Sequence, residues 1–235
     1  MTSTTRVWDV DVERRFEHAG RRFDLQARFA TDSTRLALVG ASGAGKSQTL
    51  KIIAGLTAPD AGHVRLGPRT LLDRRAGIDL PARDRRLGYV FQDYALFPHL
   101  TVAQNVTFGL GTGLLNPGRR VDDPRVRRWL DAFELAPLAR HYPEQLSGGQ
   151  RQRTALARAL VAEPGALLLD EPFAALDASL RVRLRRELAE LLTRVPIPMI
   201  LITHDEADVE NLADEVLRMQ DGHVLRDVPE FLPPG

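Results

Sequence analysis

Gly40-Ala41-Ser42-Gly43-Ala44-Gly45-Lys46-Ser47 fills every fixed position of the pattern G-x-x-x-x-G-K-[ST]. The chemistry behind that pattern is anion capture. Glycines let the backbone curl until successive N–H groups face one centre, and a helix that follows adds its positive N-terminal end. Lys46 then offers a compact cation to β- and γ-phosphates, and the Ser47 hydroxyl offers an oxygen ligand to Mg²⁺. The flanks agree. Arg35-Leu-Ala-Leu-Val39 reads as a buried strand, and 46–54 reads as a helix that stops near Gly55. Lys46 is also a marked choice, because only Lys46 and Lys51 among the 32 basic residues are lysines. The stretch implies a nucleotide and leaves the reaction open, since kinases, GTPases and motor ATPases alike use such a loop.

Working outward, strand-like and helix-like runs alternate, which predicts a layered α/β fold. A short strand is expected over 88–92 (Gly-Tyr-Val-Phe-Gln). From Asp93 to about Ala162 helical patterns dominate, broken by a Gly/Pro-rich loop over 109–118, so 93–162 is read as a helical insertion. Ala166 to Leu169 is an unbroken apolar run of the kind buried on both faces of a parallel sheet. A helix over 179–192 should carry Leu180, Leu184, Leu188 and Leu191 on one face, before Pro196 and Pro198 lead into a strand over 199–203. The tail after Asp221-Gly222 is short.

Composition narrows the function. With 235 residues and a net charge of +1, the chain suits one α/β domain and lacks the basic excess of a nucleic-acid binder. Arg14-Arg15, Arg21-Arg22 and Arg83/Arg85/Arg86 are interspersed with acids and read as solvated faces. There is no cysteine for a disulfide or thiolate metal site. No stretch approaches the ~18 apolar residues of a membrane span, and the first eleven residues lack the apolar core of a secretory signal. A cytoplasmic protein is expected, reaching a membrane only through an embedded partner.

A second anion-friendly helix start appears at Leu146-Ser147-Gly148-Gly149-Gln150, where Ser147 is a good N-cap and two glycines bare the backbone. The chain here resembles the ATP-binding cassette ATPases, whose signature is LSGGQ, and further motifs follow in the family's order. Phe91-Gln92 is similar to the Q-loop. Leu167-Leu-Leu-Leu-Asp170-Glu171-Pro172 resembles a Walker B strand with its trailing glutamate. Ala175-Leu-Asp177 resembles the D-loop, and Thr203-His204-Asp205 the switch histidine.

The resemblance implies a P-loop NTPase fold with a mainly parallel central sheet, a RecA-like core at 1–92 and 163–225, N-terminal antiparallel strands, a helical signature subdomain at 93–162 and a short tail at 226–235. It implies ATP and Mg²⁺ as cofactors, with Gly40 through Ser47 and the adjoining Gln48 around the phosphates. Ser47, Asp170 and Gln92 would serve the metal. Glu171 would orient and deprotonate the attacking water, and His204 would contact the γ-phosphate. Ser147, Gly148, Gly149, Gln150 and Asp177 would close on ATP held by a second copy in a head-to-tail dimer. Phe16 stands near where the family places its adenine-stacking aromatic, and Phe23 competes with it.

Two positions depart from the family pattern: Gln48 replaces the usual threonine, with Thr49 displaced by one, and Ala175 opens the D-loop where serine is common. The stretch from Gly77 through Gln92 and on through Ala-Leu-Phe-Pro-His-Leu-Thr-Val102 is similar to oxyanion importers, molybdate first and then sulfate, with polyamine and iron importers partly alike. Permease subunits and a solute-binding protein are the implied partners, at the cytoplasmic face of the inner membrane. The apolar segment 94–102 would either pack the insertion's own core or receive a short helix of the permease. Such importers often carry a C-terminal regulatory domain, and a sequence that stops at Gly235 is expected either to do without regulation through that domain or to be truncated before it. The rival readings are a soluble cassette ATPase acting on ribosomes or DNA, which would join two cassettes or insert a coiled coil, and a P-loop small-molecule kinase, which would need neither LSGGQ nor Thr-His-Asp.

Overall fold

The structure, a computed structural model, describes residues 6–18, 21–111, 122–174, 176–195 and 197–225. In chain order the elements are β1 (Trp8–His18), β2 (Arg21–Thr31), β3 (Arg35–Val39), α1 (Lys46–Ala54), β4 (Ala61–Leu66), β5 (Arg69–Asp73), β6 (Ile78–Asp79), α2 (Ala82–Arg85), β7 (Leu87–Val90), α3 (Val102–Phe108), α4 (Pro124–Ala132), α5 (Gly148–Leu160), β8 (Ala166–Asp170), α6 (Ala178–Arg194), β9 (Met199–Ile202), α7 (Glu206–Leu212), β10 (Glu215–Gln220) and β11 (His223–Leu225). They group into two compact units, Met1–Arg85 with Pro198–Gly235, and Arg86–Ile197.

In the first unit the strands run in the order β6-β5-β4-β1-β2-β11-β10-β3-β9. Antiparallel pairing joins β1, β2, β4, β5 and β6, whereas β3 pairs in parallel with both β10 and β9. The two halves show their pairing in their sequences. Along β1 and β2 apolar and polar residues alternate, and Trp8, Val10, Val12, Leu25, Ala27 and Phe29 are buried. Along β3 and β9 nearly every side chain is buried, as parallel strands covered on both faces require.

Arg85 departs from the reading of its cluster as solvated. Its side chain is 1% exposed and donates to the carbonyls of Ile52 and Ile53 at 2.7 and 2.8 Å, closing the carboxyl end of α1. The same guanidinium meets Asp79 at 3.0 Å. Arg14 pairs with Asp60, and Arg15 and Arg22 with Asp24, at the surface as expected.

The second unit carries β7 and β8, a parallel pair, with α3, α4, α5 and α6. Strand β8 is buried throughout. The buried stripe of α6 is Leu184, Leu188 and Leu192. Leu180 and Leu191, expected on the same face, are half-buried, and Leu192 takes the place of 191 because spacing of four sets it above 188. Within the 109–118 loop, residues 112–118 lie outside the described residues, as do Ala175, Pro196 and the tail at 226–235. Among the described residues no helix is long and apolar enough to cross a membrane.

Candidate functional site

The phosphate-loop pattern folds as its residues dictate. Gly40, Gly43 and Gly45 have φ of 152°, 83° and 102°, values an L side chain adopts only with strain. Two of them are also walled in. A Cβ on Gly40 would lie 2.1 Å from the Met219 carbonyl oxygen, and one on Gly45 would lie 2.8 Å from Leu25 and 3.1 Å from both Phe23 and Met219. The β10–β11 turn holds the loop from behind, with the Gly222 N–H donating to the Ala44 carbonyl at 3.1 Å. Ala41, Ser42 and Gly43 form the exposed rim. Lys46 is 6% exposed, and its ammonium donates to the carbonyls of Gly40 and Ala41 at 2.7 and 2.9 Å, so the charge lies against the loop's own entrance. Ser47 and Gln48 are half-buried on the first turn of α1. Thr49 is fully buried, its hydroxyl on the Gly45 carbonyl at 3.1 Å; it turns into the core and does not stand in for the threonine that Gln48 displaces.

Parallel register brings a second candidate beside this loop. Leu38 of β3 is opposite Ile202 of β9, so Gly40 and His204 each stand two residues beyond paired positions, at the carboxyl ends of adjacent strands. Ligands of open α/β sheets bind at such ends. His204 is exposed. Its turn is set by Thr203, whose hydroxyl donates to the buried Asp208 carboxylate at 2.6 Å and accepts the Asp205 N–H at 3.1 Å. Asp205 caps α7. Phe16 and Phe23 are register partners on the inward face of the β1–β2 ribbon, half-buried, with ring centroids 6.3 Å apart.

The second unit repeats the strand-end arrangement. Val90 is opposite Leu169, so Gln92 and Glu171 leave β7 and β8 side by side, and the Gln92 Nε2 donates to Glu171 Oε2 at 3.3 Å. Glu171 has φ of 47°, a left-handed backbone rare for this residue type and common at functional turns. Asp170 is 5% exposed. A carboxylate buried at a strand end is costly unless something cationic or protic serves it, and Tyr89 donates to its Oδ2 at 3.0 Å. Burial first, then the Asp170 charge, push the Tyr89 phenol well above its ordinary value, which keeps it a donor. Carboxylate, hydroxyl and amide oxygens are the hard donors magnesium takes; Asp170 and Gln92 each offer one in this unit, and Ser47 offers one in the first.

At the signature, Ser147 and Gln150 form a reciprocal cap. Ser147 Oγ accepts the Gln150 N–H at 3.3 Å, and Gln150 Oε1 accepts the Ser147 N–H at 2.8 Å. Ser147 is exposed and Gly148 half-exposed. Gly149 differs from the expectation of a bared backbone: it is buried, and a Cβ there would stand 3.0–3.2 Å from Leu180 and Leu184. Its missing side chain is what lets α5 and α6 approach. Asp177 caps α6, accepting from Leu180 N at 3.0 Å and Ser179 Oγ at 2.7 Å; the Leu180 N–H and then the Ser179 hydroxyl hold its carboxyl below the usual range.

Three residues of this unit escaped the sequence reading. Tyr89 lies inside the expected strand but carried no motif. Arg158 donates to the carbonyls of Ala95 and Tyr94 at 2.6 and 2.7 Å, residues that both have positive φ; burial pushes its guanidinium down to about 10. Asn105, fully buried, accepts the Phe97 N–H and donates to the carbonyls of Phe97, Leu100 and Thr101. No spacing rule announces them: Tyr89 and Arg158 reach groups far along the chain, and Asn105 ties down the turn just before its own helix. Within the segment 94–102, Tyr94, Leu100 and Val102 are buried, as packing of the insertion's own core requires, and Phe97 packs at 4.3 Å against Phe108, which is 40% exposed.

Comparison with known proteins fits this geometry. The family described as ABC transporter matches residues 29–174. The molybdenum import ATP-binding protein ModC of Mycobacterium tuberculosis is 45% identical over 213 residues, 90% of this chain and 58% of that protein. The sulfate/thiosulfate import ATP-binding protein CysA 1 of Shewanella oneidensis is 46% identical over 191 residues, 80% of this chain and 49% of that protein. The Fe(3+) ions import ATP-binding protein FbpC 2 of Pectobacterium atrosepticum is 44% identical over 82% of this chain and 54% of that protein. The chain thus spans about half the length of these relatives. Among solved structures, a dimeric ATP-binding cassette in a post-hydrolysis state, bound to ADP and Pi, superposes with a TM-score of 0.75 at 29% identity, covering 93% of this chain and 97% of that one. The fold is that of the ATP-binding cassettes, and the chain belongs to the ABC transporter family.

Proposed function

We propose that this chain binds ATP with Mg²⁺ and hydrolyses it as the motor subunit of an importer, working as a head-to-tail pair of copies. The observation that carries the reading is the pairing of Gln92 with Glu171 at 3.3 Å, one residue beyond the buried Asp170. Hydrolysis needs a base beside the reacting water, and it needs a metal held apart from that base. Glu171 is the base, Asp170 and Ser47 serve the metal, and Gln92 reports on both. Gly40 through Gln48 hold the phosphates, with Lys46 moving its charge from the loop carbonyls to the β- and γ-phosphates, and His204 meets the γ-phosphate. Phe23 is engaged against the loop at Gly45, which leaves Phe16 as the ring offered to adenine. The exposed Ser147 and half-exposed Gly148, with Gln150 and Asp177, close on the nucleotide of the other copy; the dimeric state of the structural neighbour supports this. Residues 1–92 and 163–225 form the ATP-binding core and 93–162 the signature subdomain.

The importer reading draws on the names of the relatives, and with it come permease subunits, a solute-binding protein and a place at the cytoplasmic face of the membrane. The Phe97–Phe108 patch, half open to solvent, is the surface offered to a short permease helix. The solute is a small oxyanion, molybdate first. The charge balance gives no support to a nucleic-acid partner.

Glu171→Gln is expected to bind ATP yet nearly abolish turnover, accumulating a dimer visible by gel filtration, whereas Lys46→Ala loses ATP binding. Wild-type hydrolysis by Glu171→Gln sinks the assignment of the base. Uptake of labelled molybdate against labelled sulfate, measured with the permease present, tests the solute.

A further inference from the structure

We infer that Tyr89 is a positioning residue for the magnesium site, fixing through its hydroxyl which Asp170 oxygen faces the ion. The inference rests on the reading of Asp170 as a metal ligand. The geometry is dictated by the β7–β8 register. Tyr89 is opposite Leu168, and alternation puts Leu168 and Asp170 on one face of the strand. Two residues of strand span about 6.6 Å, close to the reach of a tyrosine from Cα to hydroxyl, so a tyrosine opposite Leu168 meets the carboxylate end on. It does so at 3.0 Å from Oδ2. The ring cannot swing freely. Phe91, next along on the same face, packs against it with centroids 4.3 Å apart.

A phenylalanine would fill the same space, so packing does not account for the oxygen. Asp170 is 5% exposed, and bulk water therefore cannot set its rotamer; a protein donor must. One strand also serves two acids. β7 and the residue that follows Phe91 place Tyr89 on Asp170 and Gln92 on Glu171. The ion's carboxylate and the proposed base are thus held by donors three residues apart in sequence, and a shift of that segment reorients both.

The test is Mn²⁺ titration followed by electron paramagnetic resonance, on the full chain loaded with a non-hydrolysable ATP analogue. Tyr89→Phe is expected to weaken Mn²⁺ binding about tenfold, as loss of an outer-shell partner does. Analogue affinity in EDTA should stay at the wild-type value. Phe91→Leu, which keeps the hydroxyl but frees the ring, is expected to give a smaller loss in the same direction, and it keeps the idea testable should Tyr89→Phe fail to fold. In an Asp170→Asn background Tyr89→Phe should add nothing, because its route to the ion is gone. Unchanged Mn²⁺ affinity in Tyr89→Phe, or an equal loss in both backgrounds, overturns the inference. If Asp170→Asn alone leaves Mn²⁺ affinity intact, the metal reading itself falls.

Discussion

Replacing Asn105 by leucine should detach the 97–101 segment from the helical bundle while keeping the number and branching of side-chain heavy atoms, so no cavity opens. Asn105 is fully buried. Its Oδ1 accepts the Phe97 N–H at 2.9 Å, and its Nδ2 lies 3.1 Å from the Phe97 carbonyl, 2.9 Å from that of Leu100 and 3.1 Å from that of Thr101. An amide nitrogen has two protons, so these contacts amount to two donated bonds, one of them shared, and one accepted. The Leu100 contact is buried, and its carbonyl would be left without a partner at a cost of about 1–3 kcal/mol. The other two bonds, the accepted one and the shared donated one, join part-buried groups that can regain water, losing about 1 kcal/mol each. The sum is roughly 3–5 kcal/mol. At about 2–4 °C per kcal/mol for a chain of this size, the melting temperature should fall by about 10 °C in scanning calorimetry. A leucine variant that melts within about 2 °C of wild type would refute the claim that this one amide organises the segment. In the presence of a permease the same variant should lose stimulation of hydrolysis before it loses basal hydrolysis, because the segment carries the exposed aromatic patch and the nucleotide loop lies elsewhere in the chain.

Other consequences can be measured directly. Gly40→Ala would press its Cβ to 2.1 Å from the Met219 carbonyl and should abolish nucleotide binding, while Gly43→Ala, with nothing within 4 Å, should cost only left-handed strain of about 1 kcal/mol; equal binding by the two would contradict the packing of the loop against β10. Arg158→Lys keeps the charge but cannot span two carbonyls, so turnover should slow on the order of tenfold with ATP affinity unchanged in a fluorescent-nucleotide titration; wild-type turnover would show that Tyr94 and Ala95 hold their left-handed backbone unaided. Burial pushes the Asp9 carboxyl up, but His63 at 3.2 Å and Arg65 at 3.1 Å outweigh it and hold it below the ordinary aspartate range. Its contribution to stability is therefore present above about pH 4 and is lost as pH falls through the lower folded value. Asp9→Asn should flatten the acid limb of the melting temperature against pH, and an unchanged limb would exclude this ion pair as its source.

The chain states some of its structure locally. Residues 35–39 and 46–54 form the strand and helix read from them, because a buried parallel strand must be apolar throughout and Gly55 ends a helix wherever it can turn left-handed. The strand expected over 88–92 ends at Val90; Gln92 leaves the ladder, where its amide can reach another strand's end. The P-loop and the capped signature helix were legible because each is a short-range device, complete within eight residues or fewer. Register was not legible. Nothing local says that Gly40 neighbours His204, that Gln92 meets Glu171 or that Tyr89 reaches Asp170; these follow from which strands pair and at which residue. Arg85 makes the same point, since three neighbouring arginines look alike in sequence and only the packed end of α1 takes one of them out of water. Composition and spacing determine which groups the chain can offer to a nucleotide. The long-range pairing of strands decides which of them stand together, because hydrogen bonds between strands set distances that local sequence cannot.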